Sequence, residues 1–155
     1  MIQRIQSVYL FIIALLSSFL IPGSFLNFTE KTGSFIRLSF NAVIRNNAGK
    51  ATEMVEKLLP LSVLIVLITV ISLATIFFFK KRKVQMQLSR FLIFLAVILV
   101  VACIHVSFRI VSKFDAGIIP GLKMILPVLI LIISILAYRG IRKDELLVKS
   151  YDRLR

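Results

Sequence analysis

Acidic residues are scarce in this chain of 155: 7 Asp and Glu stand against 20 Lys and Arg, a formal net charge of +13. None of the seven falls inside a long apolar run, so the paired carboxylates of acid–base chemistry have no place there. The single cysteine, Cys103, excludes an intramolecular disulfide. One histidine, His105, together with that cysteine cannot supply a tetrahedral zinc site. A phosphate-binding glycine loop, an HExxH, a CxxC and a Gly-x-Ser-x-Gly elbow are also missing. No repeat relates the two halves, which takes away the usual signature of a secondary transporter. The expectation is therefore no catalytic, cofactor-binding or metal-ligating residue and no enzyme.

What the chain has instead is apolar length. Its hydrophobic share is 59%, against roughly 45–50% for an ordinary soluble domain even with glycine counted. That excess argues against a soluble module, and equally against disorder. Uncharged runs cover residues 5–29, 58–79, 91–108 and 124–138. As a helix the second extends roughly 33 Å, enough for the roughly 30 Å hydrocarbon core of a bilayer. The fourth reaches that length if its helix begins near Gly121 and Lys123 snorkels outward. The fold expected is an all-α membrane protein, one membrane domain over residues 1–155. It is a four-transmembrane-helix bundle, with helices at about 5–22, 58–79, 91–109 and 121–138 and a small β-hairpin-like outer loop between the first two.

Punctuation agrees with these limits. Pro60 and Pro127 lie early in their runs, where a missing N–H costs little, and Pro22-Gly23 ends the first helix near Ile21. The apolar stretch after Arg4 is followed by no clear small-x-small cleavage site, so it is expected to stay as the first helix.

Cations then set an orientation. Lys80, Lys81, Arg82, Lys83 and Arg90 put five positive charges and no negative one into residues 80–90. By the positive-inside rule this loop and both termini face the cytoplasm, with the cations also meeting anionic lipid. The +13 is thereby explained without nucleic acid as a partner. On the other side, the outer loop 24–57 contains Ile36, Leu38, Phe40 and Ala42 alternating with polar residues, a strand pattern. Residues 25–29 are its candidate hairpin partner, residues 46–49 a turn, and residues 51–57 a short helical lead-in to the second helix. A lone hairpin is marginal in water, so it should pack on the helix ends, on the 109–123 loop or on a partner. His105 and Arg109, four apart on one helix face, are expected as a polar cluster at the outer interface.

The tail 139–155 reads as an amphipathic helix. Lys143, Leu147, Tyr151 and Leu154 share one stripe, and Arg142, Leu146, Lys149 and Arg153 an adjoining basic one. Such a helix rests on the inner membrane surface or docks on a protein partner. Interleaved acids, Asp144, Glu145 and Asp152, favour the second.

Met1 to Gln6 (MIQRIQ), with residues 139–145 (RGIRKDE) and the closing Asp152-Arg153-Leu154-Arg155, resembles a domain-of-unknown-function family of small four-span inner-membrane proteins from one Gram-negative bacterial phylum. Tyr151 stands where that pattern has a small residue. The resemblance implies a bacterial inner membrane and supplies no substrate or site residues. The function expected is a non-enzymatic accessory or assembly subunit of a larger membrane complex, its partners being lipids and a membrane protein reached through Arg142, Lys143, Leu147, Lys149, Tyr151, Arg153 and Leu154. No small-molecule substrate is evident. The alternative is a small oligomeric transporter or channel lined by Ser62, Thr69 and Ser72.

Overall fold

A computed structural model describes residues 3–29, 35–46, 53–114 and 117–153. Its elements are α1 (Gln3–Leu20), β1 (Ser24–Thr29), β2 (Phe35–Ser39), β3 (Ala42–Asn46), β4 (Glu53–Lys57), α2 (Leu59–Phe77), α3 (Arg82–Phe114), β5 (Gly117–Pro120) and α4 (Leu126–Arg153). Short 3-10 turns at Phe78–Lys80 and Leu122–Ile125 follow α2 and precede α4. The strands form one antiparallel sheet in the order β4-β3-β2-β1-β5.

The all-α four-transmembrane-helix bundle expected from the sequence is therefore corrected in two respects. The outer loop is no minor hairpin: it supplies four strands, and the 117–120 segment adds a fifth beside β1. And among the described residues three helices, not four, are long and apolar enough to cross a membrane: Leu59–Phe77, Arg82–Phe114 and the 25-residue stretch Lys123–Leu147. The apolar part of α1, Ile5–Leu20, extends only about 24 Å at 1.5 Å per residue, short of the roughly 30 Å core.

Helix limits follow local chemistry. Pro60 sits in the first turn of α2, where its absent N–H has no helical partner to lose. Gly23 takes φ +85° directly after α1 and Pro22, a backbone region open to glycine without steric cost. Residues 80–90, expected as a loop, are mostly helix: the chain turns at Lys81 and α3 starts at Arg82. The tail is likewise an unbroken continuation of α4.

α1 packs on α2 and α4, and α3 packs on α2 and α4, so the helices close a ring. Leu10, Ile13, Ile65, Ile68, Leu92, Leu99 and Ile130 fill it. Phe11, Leu15, Val63, Val70, Phe94, Val101 and Ile132 point outward and are exposed. All four helices run between the same two ends. The sheet lies at one, with Phe25, Phe28, Ile36, Leu38 and Phe40 buried. Its alternation is the one read from the sequence: Ile36 and Leu38 are buried while Phe35 and Arg37 are exposed. Consecutive Phe25 and Leu26 are both buried because the β1–β2 register slips between Ser24 and Leu26, which is what a bulge does to the alternation. Residues 53–57, expected to be helical, pair with β3 instead.

Candidate functional site

At the end away from the sheet, the start of α1, the α2–α3 turn and the distal part of α4 converge. Gln6, Ser7, Val8, Phe79, Arg82, Gln85, Ile141 and Asp144 line a pocket of about 410 Å³ there. Asp144 is buried although it stands in the highly charged tail. Helical spacing explains this: Ala137, Ile141 and Asp144 are four and three residues apart, lie on one face of α4, and are all buried.

Gln6, itself buried, donates from Nε2 to Asp144 Oδ2 at 2.5 Å. Gly140 makes room for that contact, because a Cβ at this position would lie 3.1 Å from Gln6 Cγ. On α3, the Gln85 backbone N–H donates to the Lys81 carbonyl and Ser89 Oγ donates to the Gln85 carbonyl. Two atoms around the pocket, Arg82 Nη1 and Asp144 Oδ1, are buried without a hydrogen-bond partner among the described residues. Since a buried polar atom left unpaired costs about 1–3 kcal/mol, a donor and an acceptor left open on two residues of one pocket point to a ligand position.

Tail residues named from the sequence divide. Arg142 and Lys143 are exposed, as are Leu146 and Leu147. The side chains of Lys149, Tyr151 and Arg153, and the whole of Leu154, lie outside the described residues. Lys81, Lys83 and Arg90 are exposed on the same end of the molecule while Arg82 turns toward the pocket; the Lys80 side chain lies outside the described residues.

His105 and Arg109 are both exposed on α3. Arg109 Nη1 lies 3.6 Å from Glu56 Oε1, a partner on β4. Asp115, the carboxylate nearest to this pair in sequence, lies outside the described residues. Ser62, Thr69 and Ser72, the alternative pathway lining, bond within the chain. Ser62 Oγ donates to the Phe40 carbonyl and to Asn41 Oδ1. Thr69 shares a hydrogen bond with Ser17 of α1 and donates to the Ile65 carbonyl. Ser72 is fully buried and donates to the Thr69 carbonyl.

The sequence reading missed Gln6, Gln85 and Asp144 as a group. A signal was present, since an acid on the continuation of the Ala137–Ile141 face must be buried or bend the helix away. It also read Lys123 as snorkelling, whereas Lys123 Nζ donates to the Phe19 and Pro22 carbonyls and sits 4.4 Å above the Phe19 ring. A cation there meets the negative end of the α1 dipole.

The family model described as "Domain of unknown function (DUF4293)" matches residues 2–154. The chain belongs to that family. No curated protein and no solved structure matches the chain. Family membership covers both terminal motifs and the pocket, and attaches no activity to them.

Proposed function

We propose that the chain is an integral protein of a bacterial inner membrane, acting as a non-enzymatic accessory or assembly subunit of a larger membrane complex. The observation that carries this reading is the path of α4. It continues without a break beyond its apolar stretch, is tied to α1 through Gln6 and Asp144, and presents Arg142, Lys143 and Leu146 outward. A helix fixed in this way offers a preformed face to a protein partner, because little further ordering is needed on docking. A helix lying flat on lipid would have no use for the buried acid.

Membrane insertion is supported by three helices of spanning length and by the outward apolar side chains of the ring. The cationic end carries Lys81, Lys83, Arg90, Arg142 and Lys143, which under the positive-inside rule supports a cytoplasmic position for it and for both termini, with the shorter α1 crossing alongside the three longer helices it is ringed with. An oligomeric transporter or channel has less support, since the hydroxyls of Ser62, Thr69 and Ser72 are engaged inside the chain.

Purification in mild detergent tests the reading. The full chain should bring down partners in fixed stoichiometry, and removal of the residues after Tyr138 should release them. A solitary protein under several gentle conditions contradicts it.

A further inference from the structure

The pocket at the cationic end has an unusual pair of open valences. Asp144 keeps only 9% of its exposure, and its Oδ2 is taken by Gln6. Asp144 lines the same pocket as Arg82, and Asp144 Oδ1 and Arg82 Nη1 are both buried and unpartnered among the described residues. Their charges are opposite, yet no hydrogen bond between them closes the gap. A ligand satisfying both atoms presents an acceptor to Arg82 and a donor to Asp144, and the strongest such pair is an anionic phosphate with an ammonium N–H.

Position narrows the chemistry. The pocket sits where the apolar run of α2 gives way to cations: Phe77, Phe78 and Phe79 are exposed, and Lys81 and Lys83 follow directly. In a membrane such a boundary lies at the level of lipid headgroups. Val8, Phe79 and Ile141 give the pocket an apolar side and Arg82, Gln85 and Asp144 a polar one.

We infer that this pocket binds a phosphoethanolamine group, its phosphate on Arg82 and its primary ammonium on Asp144; the inference rests on the membrane reading above for the lipid as its source. The same acid discriminates among headgroups. Phosphoglycerol offers Asp144 only neutral hydroxyls, weaker donors than an ammonium, and choline has no N–H to donate to Oδ1. The pocket therefore selects phosphatidylethanolamine, and a free phosphoethanolamine ester shares the chemistry.

The test uses the full chain in nanodiscs holding equal parts of phosphatidylethanolamine, phosphatidylcholine and phosphatidylglycerol, followed by native mass spectrometry of the lipids retained. Retention of phosphatidylethanolamine over each of the others should be about tenfold, the equivalent of one charge-assisted hydrogen bond. Asp144→Asn should bring it near parity and Arg82→Gln should lower retention of all three lipids, while Lys83→Gln, at an exposed neighbouring cation, should leave both unchanged. If Asp144→Asn does not fold, as judged by circular dichroism, Arg82→Gln carries the comparison through the loss of total retained lipid. Equal retention of the three lipids, a preference surviving in folded Asp144→Asn, or undiminished retention in folded Arg82→Gln overturns the inference. Competition by free O-phosphoethanolamine identifies a soluble source, and its failure to compete identifies the lipid; both keep the assigned chemistry. Alkaline carbonate fractionation reads membrane insertion separately. A membrane-embedded chain without the preference defeats the pocket assignment alone, and a carbonate-extracted chain defeats the membrane reading.

Discussion

At the sheet end, five strands are joined by backbone hydrogen bonds around fully buried Phe28, Ile36, Leu38 and Phe40. Phe25 and Phe40 stack there with ring centroids 4.5 Å apart, and Arg45 lies 5.6 Å from the Phe114 ring centroid, joining β3 to the end of α3. At the opposite end the same helices are held by side chains: a hydrogen bond from Gln6 to Asp144, a close approach at Gly140, and packing around a pocket. Backbone pairing fixes geometry regardless of side-chain identity, whereas a polar side-chain pair is strong only if every atom finds its partner. The contrast sets an end built by backbone pairing against one built by side chains, and the recognition proposed above belongs to the second.

Four substitutions, with Gly140→Ala as a control for the second, sharpen or break that contrast, each read as a change in unfolding stability in one fixed detergent. The largest loss is expected for Phe28→Ala in the sheet, about 3–5 kcal/mol, from the lost apolar burial and the cavity left behind. A smaller loss at Phe28 than at any residue of the pocket would reverse the contrast. Gly121→Ala comes next. Its Cβ would lie 2.9 Å from the Phe25 carbonyl oxygen, a backbone atom held in the sheet, so about 1–3 kcal/mol of overpacking is expected. Gly140→Ala should cost clearly less, because the atom it meets belongs to the flexible Gln6 side chain.

Third in order is Gln6→Leu, which leaves a buried carboxylate with no donor and should cost about 1–2 kcal/mol. Asp144→Asn combined with it should recover part of that loss, since the charge is then gone. Arg109→Gln is the smallest. The ion pair with Glu56 is half exposed on both sides, and such pairs contribute less than about 1 kcal/mol and weaken with salt. A loss above that value, unchanged by salt, would make the outer polar pair a structural element of the sheet end.

Much of the helical frame was legible because it rests on local signals. Apolar runs place the helix bodies, Pro60 and Pro127 mark two starts, and Pro22-Gly23 marks an end. The pairing of residues 25–29 with the Ile36–Leu38 strand was also legible, since a short loop joins two alternating segments. β4 was not: Glu53–Lys57 has residues that suit a helix, and only its pairing with β3 decides otherwise. β5 spans only Gly117–Pro120, and its partner β1 lies nearly ninety residues earlier. Length and pattern are both too slight to announce it. The cationic residues 82–90 read as a loop because charge interrupts the apolar run, yet Arg, Lys, Gln and Met are good helix formers. Gln6 and Asp144 are 138 residues apart, and no periodicity in one sequence joins such a pair.

Central to the account is the proposal that the sheet end and the cationic end face opposite sides of a membrane, with the cationic end in the cytoplasm. Single-cysteine labelling in intact cells tests this directly. With Cys103→Ser as background, Arg37→Cys reports the sheet, and Lys83→Cys and Arg142→Cys report the other end; all three positions are exposed. Once the outer membrane is made permeable, a thiol reagent that cannot cross the inner membrane should label Arg37→Cys alone, and label the other two only after that membrane is breached. Labelling at Lys83→Cys or Arg142→Cys with the inner membrane intact, or at all three positions alike, would contradict the account.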